Sequence, residues 1–173
     1  LIAAAAGLVG CSMEDNTGNP LDPIYPFNLA VRRVKAAVIA ARSLPFHFTL
    51  TARAENLIYG RMDMNDTLRR LEAFAEAGAD VLFAPGIKTR EEIEMTVRTV
   101  APRPLNVVMG LRGPTHWMKE LEEMGVKRIS IGSSLARAAY GGFYTAAQEI
   151  KEKGSFGYAD NIISYDFIND LFK

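Results

Sequence analysis

Residues 48–86, FTLTARAENLIYGRMDMNDTLRRLEAFAEAGADVLFAPG, decide the fold class of this chain. The stretch begins as an apolar, β-prone run that ends in charge at Arg53 and Glu55. A helical pattern follows and stops at Gly78, and a second apolar run occupies 81–84. This is one β-loop-α-β unit. Because α/β proteins keep their active sites at the carboxyl ends of parallel strands, Arg53 is the first candidate functional residue.

The same unit recurs along the chain at intervals of a few tens of residues. The predicted strands are short and apolar on both faces, and helical patterns separate them, which indicates a parallel sheet. A closed (β/α)8 barrel needs about 250 residues. If the fold is such a barrel, the chain supplies the last five β/α units of one domain, plus a C-terminal helix. An open doubly wound sheet is the alternative, although no Gly-x-Gly-x-x-Gly or Walker-type loop follows a strand. The five predicted strands are 8–13, 48–54, 81–84, 105–109 and 126–131.

Capping residues predict where the helices begin. We expect Asn28 to cap a helix over 29–42 and either Asn65 or Asp66 to cap the next one. Thr89 and Glu92 have the spacing of a capping box. Further helices are predicted over 115–124, 134–153 and 162–172, the last of them capped by Asp160.

Composition limits the class of protein. The 173 residues carry no net charge at pH 7, and hydrophobic residues make up 49% of them, as in an ordinary globular protein. The chain lacks the basic stripe that would indicate nucleic-acid binding, and no apolar run is long enough to span a membrane. One cysteine and two histidines exclude a disulfide framework and a Cys/His zinc site. A cytoplasmic protein is the expectation.

The N-terminal residues 1–11, LIAAAAGLVGC, have two readings. The end of the run resembles a bacterial lipoprotein cleavage site, but it lacks an initiator Met and a basic region. The favoured reading is the end of a helix over 1–6, stopped by Gly7 and followed by a buried strand. On this reading the chain begins inside a helix of a larger protein.

Two carboxylates, Glu14 and Asp15, directly follow the first predicted strand. Such a pair could hold Mg²⁺ or a water bound to it, because hard cations prefer oxygen ligands. The alternative is a loop-facing or helix-capping acid. Residues 16–27, rich in Pro, Gly and Asn, form a long connection that could act as a lid or simply as a rigid loop.

Arg53 carries a sharper argument. Side chains alternate along a strand, so Thr51, Arg53 and Glu55 share one face while the backbone stays extended. The planar guanidinium matches a carboxylate or phosphonate and could stabilise a developing oxyanion. The alternative is a surface arginine paired with Glu55.

The remaining candidates are weaker. Asn106 lies inside an apolar strand and must satisfy its amide, through a substrate or the neighbouring strand. Residues 132–134, Gly-Ser-Ser, could bind an anion at a helix start, but a serine N-cap is the simpler reading. We expect Cys11 to be a buried, inert thiol, and His47 and His116, the latter half-exposed, to take no part in catalysis.

Several segments together resemble the phosphoenolpyruvate mutase/isocitrate lyase superfamily. Glu14-Asp15 after an apolar strand is similar to its Ile-Glu-Asp motif, and 51–55 to its Ala-Arg-x-Asp/Glu motif. Residues 77–86 are similar to its Ala-Gly-Ala-Asp signature, while 104–107 and 121–139 fit its last two strands. The likeness covers nearly the whole chain, and the order and spacing of the motifs make it specific.

The resemblance implies a (β/α)8 barrel enzyme that uses Mg²⁺ and breaks or forms a C–C or P–C bond next to an α-keto or α-hydroxy acid. Arg53 would contact the substrate anion and the enolate intermediate, with Glu55 and Asn106 in the substrate site. Glu14 would support Mg²⁺ through a water. The family also implies a homotetramer in which a C-terminal segment, here 160–173, is exchanged between subunits.

Three departures from the family limit the reaction. The aspartates that bind Mg²⁺ directly lie on earlier strands than those of this chain. Residues 16–27 contain none of the Cys, His and Lys of the lyase loop, and Pro85 stands where other members have a Glu or a His. We therefore expect a simpler C–C cleavage of a small di- or tricarboxylate. Phosphonomutase chemistry and a non-catalytic fragment are the alternatives.

Overall fold

The computed structural model describes residues 1–110 and 116–173. Five parallel strands form one sheet in chain order, β1-β2-β3-β4-β5. This confirms the predicted parallel α/β sheet. Two compact units make up the chain, 1–131 and 132–173. The strands are β1 Gly10–Glu14, β2 Thr49–Arg53, β3 Val81–Phe83, β4 Leu105–Val108 and β5 Arg128–Ser130.

Helices connect successive strands, so that all strand ends of one kind lie at the same edge of the sheet. A short α1 precedes β1, and α2 to α5 are the four connections. Their apolar side chains form one core with the sheet, in which Leu71, Phe74 and Ile93 are fully buried. Burial of each such side chain contributes about 1.5–3 kcal/mol. The helices are α1 Ile2–Ala5, α2 Phe27–Arg42, α3 Met64–Glu76, α4 Arg90–Val100 and α5 Met118–Glu123.

The first strand is less buried than its apolar sequence predicts. It forms one edge of the five-stranded sheet, and Cys11 is exposed. The expectation of a buried thiol is therefore wrong. The strand also extends one residue further than predicted, so that Glu14 is its last residue rather than the first residue of the loop.

The capping predictions have mixed outcomes. The capping box of α4 is confirmed, since Thr89 Oγ1 accepts from the Glu92 amide at 3.2 Å and Glu92 Oε2 accepts from the Thr89 amide at 3.0 Å. The cap of α3 is Asp63, whose Oδ1 accepts from the Asp66 amide at 3.0 Å, so neither predicted residue is the cap. α2 begins after Pro26 without a side-chain cap, which makes the prediction of Asn28 wrong.

Gly86 holds the turn after β3 close to the loop after β2. Its φ of +108° favours glycine, and a Cβ at this position would lie 2.8 Å from the Cβ of Leu57. Only glycine therefore allows this approach of the two loops. The predicted helix start at Thr115 and most of the predicted loop before it lie outside the described residues.

The second unit contains a long helix, α6 (Ser134–Lys153), a 3₁₀ helix (Gly157–Asn161) and a short helix, α7 (Tyr165–Asp170). Ser133 precedes α6 without a side-chain capping bond, so the serine-cap reading is wrong. Asp160 lies in the 3₁₀ helix, and Ser164 caps α7 instead, accepting from the Phe167 amide at 3.2 Å. The three helices of this unit contain no buried residues.

The turn after α6 is fastened by one carboxylate. Glu149 accepts hydrogen bonds from Ser155 Oγ at 2.6 Å and from the amides of Gly157 and Tyr158 at 2.7 and 3.1 Å. These bonds favour the ionised form and lower the pKa of Glu149. Among the described residues, each helix is too short or too polar to cross a bilayer.

Candidate active site

One row of side chains runs across all five strands on the same face of the sheet. Register pairs Glu14 of β1 with Arg53, Arg53 with Phe83, Phe83 with Asn106, and Asn106 with Arg128 of β5. The first three are the last residues of their strands. The row therefore reaches the carboxyl edge of the sheet, where parallel α/β proteins place their sites.

Arg53 is the centre of an ion-pair cluster, the Arg53 cluster, formed with Glu14 and Glu55. Its Nη1 lies 2.8 Å from Glu14 Oε1, and its Nε donates to Glu55 Oε1 at 2.6 Å. The guanidinium also lies over the ring of Phe83, with 4.9 Å from Cζ to the ring centre. Pairing with Glu55, the alternative expected from the sequence, is thus present together with a second carboxylate. The structure brings three of the four predicted site residues into direct contact.

The two carboxylates of the Arg53 cluster differ in their surroundings. The side chain of Glu55 is only 2% exposed, and burial raises its pKa, although Arg53 opposes the shift. Glu14 is 36% exposed and also accepts from the side-chain amide of Asn16. With both carboxyl groups ionised, two negative charges share one positive charge.

Asp15 has a different partner from Glu14, although the two are adjacent in sequence. Its Oδ1 accepts from the Glu55 amide at 2.8 Å, and its Oδ2 lies 3.1 Å from Nη1 of Arg70. Burial raises the pKa of Asp15, while the Glu55 amide and Arg70 oppose the shift. Asp15 thus stabilises the fold, and of the two acids only Glu14 belongs to the row of candidate site residues.

Arg70 completes a second ion-pair cluster, the Arg70 cluster, with Asp15 and Asp66. Its Nε donates to Asp66 Oδ2 at 2.6 Å, and its Nη1 also donates to the carbonyl of Tyr25 at 3.0 Å. The Arg70 side chain is only 7% exposed. The sequence analysis missed this cluster. The available signal was the i,i+4 spacing of Asp66 and Arg70 on α3, which is typical of a helical ion pair.

Asn106 is buried in the middle of the row. Its Nδ2 donates to Oγ of Ser130 on β5 at 3.0 Å, so the expected bond to the neighbouring strand is present. Its Oδ1 is buried and has no hydrogen-bond partner among the described residues. A buried acceptor without a partner costs about 1–3 kcal/mol. This oxygen is therefore an unsatisfied buried acceptor in the described part of the chain.

Arg128 and Thr51 extend the site, and the sequence analysis assigned no role to either. Arg128 Nη1 donates to Thr51 Oγ1 at 2.8 Å. Because β3 and β4 lie between β5 and β2, the Arg128 side chain crosses the face that carries the row. The signal that could have revealed it was the pair of charged residues, Lys127 and Arg128, inside the predicted strand 126–131.

The other predicted features lie apart from this row. In the loop 16–27, the Tyr25 amide donates to the Asp15 carbonyl at 2.8 Å, and Ile24 is buried. His116 is half-buried, as expected, and its Nε2 bonds the Lys88 carbonyl at 2.8 Å. Pro85 is buried two residues after the end of β3. These contacts leave the lid hypothesis a prediction and assign no catalytic role to the histidine.

The described residues do not fit Mg²⁺ by themselves. Nowhere in 1–110 and 116–173 do three or more His, Cys, Asp or Glu side chains come together in a group that could hold a metal ion. Glu14 and Glu55 do converge, but each gives an oxygen to Arg53. No reaction step through a metal follows from these side chains.

Comparison with known proteins identifies relatives of this chain. The sequence matches the family described as phosphoenolpyruvate phosphomutase over residues 2–151. A probable 2-methylisocitrate lyase 2 from Corynebacterium glutamicum is 29% identical over 158 residues, which are 86% of this chain and 50% of that protein. The chain thus spans about half the length of this curated relative.

Solved structures agree with this assignment. A provisionally assigned lyase/mutase from Burkholderia cenocepacia J2315 is 50% identical, with a TM-score of 0.95, and the match covers 99% of this chain and 61% of that one. Phosphonopyruvate hydrolase, in complex with oxalate and Mg²⁺, is 27% identical with a TM-score of 0.76, covering 97% and 60%. The predicted barrel class is confirmed, because the five-stranded sheet corresponds to part of the (β/α)8 barrels of such relatives.

Proposed function

The chain belongs to the phosphoenolpyruvate phosphomutase family, and on that premise we propose that the protein is a lyase that cleaves a C–C bond of a small α-keto or α-hydroxy di- or tricarboxylate. The observation that carries this proposal is the Arg53 cluster, a guanidinium at the end of a parallel strand with 23% of its side chain exposed. The bond class follows the relative named as a 2-methylisocitrate lyase.

The proposed chemistry requires stabilisation of negative charge. When the C–C bond breaks, its electron pair stays on the carbon next to a carboxylate or keto group as an enolate. Arg53 donates hydrogen bonds to the enolate oxygen or to the adjacent carboxylate, where a preorganised cation acts most strongly. Glu14 and Glu55 fix the position of the guanidinium, so little reorganisation is needed during the reaction. Asn106 Oδ1 accepts a hydrogen bond from a donor group of the substrate.

Magnesium dependence is part of the same proposal. It is supported by the relative whose structure contains oxalate and Mg²⁺. In this proposal Glu14 would contact the ion through a water. A chelator such as EDTA should then abolish turnover, and added Mg²⁺ should restore it. The homotetramer with an exchanged segment at 160–173 and the cytoplasmic location remain predictions of the family resemblance.

A panel of three substrates tests the proposed reaction. Decarboxylation of oxaloacetate and cleavage of 2-methylisocitrate to succinate both release pyruvate, which a coupled lactate dehydrogenase assay detects, and hydrolysis of oxaloacetate is followed by the oxalate formed. Phosphonopyruvate tests the second candidate, P–C chemistry, favoured by the relative named as phosphonopyruvate hydrolase. Phosphorus NMR distinguishes rearrangement from hydrolysis of that compound. Absence of turnover on all three, with Mg²⁺ present, would favour the non-catalytic alternative.

Arg53→Met is the variant that tests the assigned role. Removal of one preorganised donor to an oxyanion costs about 100- to 1000-fold in turnover. The matched control is Arg98→Met, because Arg98 lies on α4 with 70% of its side chain exposed and pairs with Glu94 at 3.9 Å. Arg53→Met activity within about threefold of wild type would contradict the role of Arg53.

A further inference from the structure

Arg128 and Arg53 approach the same face of the sheet from different strands. The side chain of Arg128 extends from β5, and its Nη1 donates to Oγ1 of Thr51 on β2 at 2.8 Å. Thr51 precedes Arg53 by two residues and is itself buried. Since a strand rises about 3.3 Å per residue, Thr51 and Arg53 lie about 7 Å apart along β2.

The two guanidinium groups differ in whether a carboxylate offsets their positive charge. Arg53 shares its charge with Glu14 and Glu55. Among the described residues, no carboxylate lies within ion-pair distance of Arg128, and its one side-chain hydrogen bond is to the neutral Thr51 hydroxyl. The guanidinium has five N–H donors, so most of them remain available.

In the Arg53 cluster two carboxylates already share the positive charge of one arginine. The cluster alone therefore attracts the carboxylate of a substrate only weakly. Arg128, which has no carboxylate partner among the described residues, adds a positive charge on the same face and so favours the binding of an anion. We propose that Arg128 binds the second carboxylate of the substrate, while Arg53 binds the reacting end.

This inference rests on the proposed function, because it takes Arg53 as the group that binds the reacting end. It adds a selection rule: acids with two carboxylates bind better than acids of the same length with one. Arg128 is then a residue that determines specificity, and its loss should affect binding of dicarboxylates in particular.

Binding measurements without turnover test the rule separately from the reaction. Isothermal titration calorimetry of the complete protein would use succinate, with two carboxylates, and butyrate, with one on the same four-carbon chain. Arg128→Gln should weaken succinate binding about 10-fold or more, the scale of a charge-assisted hydrogen bond, and change butyrate binding by less than about twofold. Arg98→Gln, on the outer helix α4, is the matched control and should leave both affinities unchanged.

Arg128→Lys keeps the charge but loses the planar fork, so succinate binding should fall by about threefold. If circular dichroism shows that Arg128→Gln does not fold, the succinate affinity of Arg128→Lys provides the test instead. Equal effects on the two acids, unchanged succinate affinity, or a wild type that binds succinate no better than butyrate would each overturn the inference. Failure of the proposed function has a separate signature, namely no turnover of any substrate in the panel by a wild type that still prefers succinate.

Discussion

The Arg53 and Arg70 clusters each contain one arginine and two carboxylates, yet they differ in exposure. Arg70 is 7% exposed and Arg53 is 23% exposed. Arg70 also donates to a backbone carbonyl and ties α3 to the segments that follow β1 and β2. Arg53 instead lies on the open face, against the ring of Phe83.

This difference separates a structural ion pair from a candidate binding group. A buried arginine with its partners in place holds segments together, and its charge is unavailable to a ligand. A partly exposed arginine fixed by two carboxylates keeps donors free and is preorganised for an anion. Burial and the direction of the free donors, rather than the residue types, therefore distinguish the two roles.

The largest expected effect on stability is that of Arg70→Met. This variant leaves Asp15, which is only 2% exposed, without its cation. Loss of one partner of a buried ion pair costs about 3–5 kcal/mol. Urea unfolding should show a decrease of this size in the free energy of unfolding. Arg69→Met is the control, since the Arg69 side chain is 62% exposed; an equal loss in that control would remove the contrast between the clusters.

Asn106→Leu should have a smaller effect, mainly on activity. Leucine has a similar size, but it removes the buried acceptor and the bond to Ser130. The loss of one neutral hydrogen bond to the substrate corresponds to about a 10-fold decrease in kcat/KM. Steady-state kinetics check this value. Unchanged kinetics would restrict Asn106 to its bond with the neighbouring strand.

The smallest expected effect is a change in the pH dependence of stability. Burial raises the pKa of Glu55 in the folded protein, so the folded state holds this proton over a pH range where the unfolded state has lost it. The free energy of unfolding contributed by Glu55 is therefore highest at low pH and falls as pH rises from about 4.5 through the raised pKa. Glu55→Gln should reduce this fall in urea unfolding measured without Mg²⁺. A steeper fall in the variant would show that the sign of the shift is wrong.

Much of this comparison could be predicted from the sequence, because it depends on local patterns. Alternation of apolar runs with helical segments predicted the five strands, and strand ends predicted Glu14 and Arg53 as candidate site residues, with Glu55 on the same face as Arg53. Glu14 and Asp15 were treated as a pair after the strand, but adjacent residues of extended chain point to opposite faces, and the two acids have different partners. Which of them faces the site depends on the exact end of β1, and periodicity locates such ends only within a few residues.

Other features depend on contacts that the sequence does not encode locally. Asp63, Asn65 and Asp66 are all good capping residues, and only the extended backbone of Asp63 selects it. Arg128 meets Thr51 because of the register across β2 to β5, which no single segment determines. Cys11 is exposed because β1 is an edge of the described sheet, although its run is apolar enough for a buried strand.

Turnover and unfolding measured together on Arg53→Met and Arg70→Met test the central claim most directly. The claim is that the Arg53 cluster acts in catalysis and the Arg70 cluster acts in stability. We expect Arg53→Met to lose about 100- to 1000-fold in kcat/KM for the substrate turned over by wild type. Its free energy of unfolding should fall as well, because the variant leaves Glu55, which is only 2% exposed, without its cation, so kcat/KM rather than stability separates it from Arg70→Met. An Arg53→Met protein that keeps its kcat/KM while losing as much stability as Arg70→Met would contradict the account.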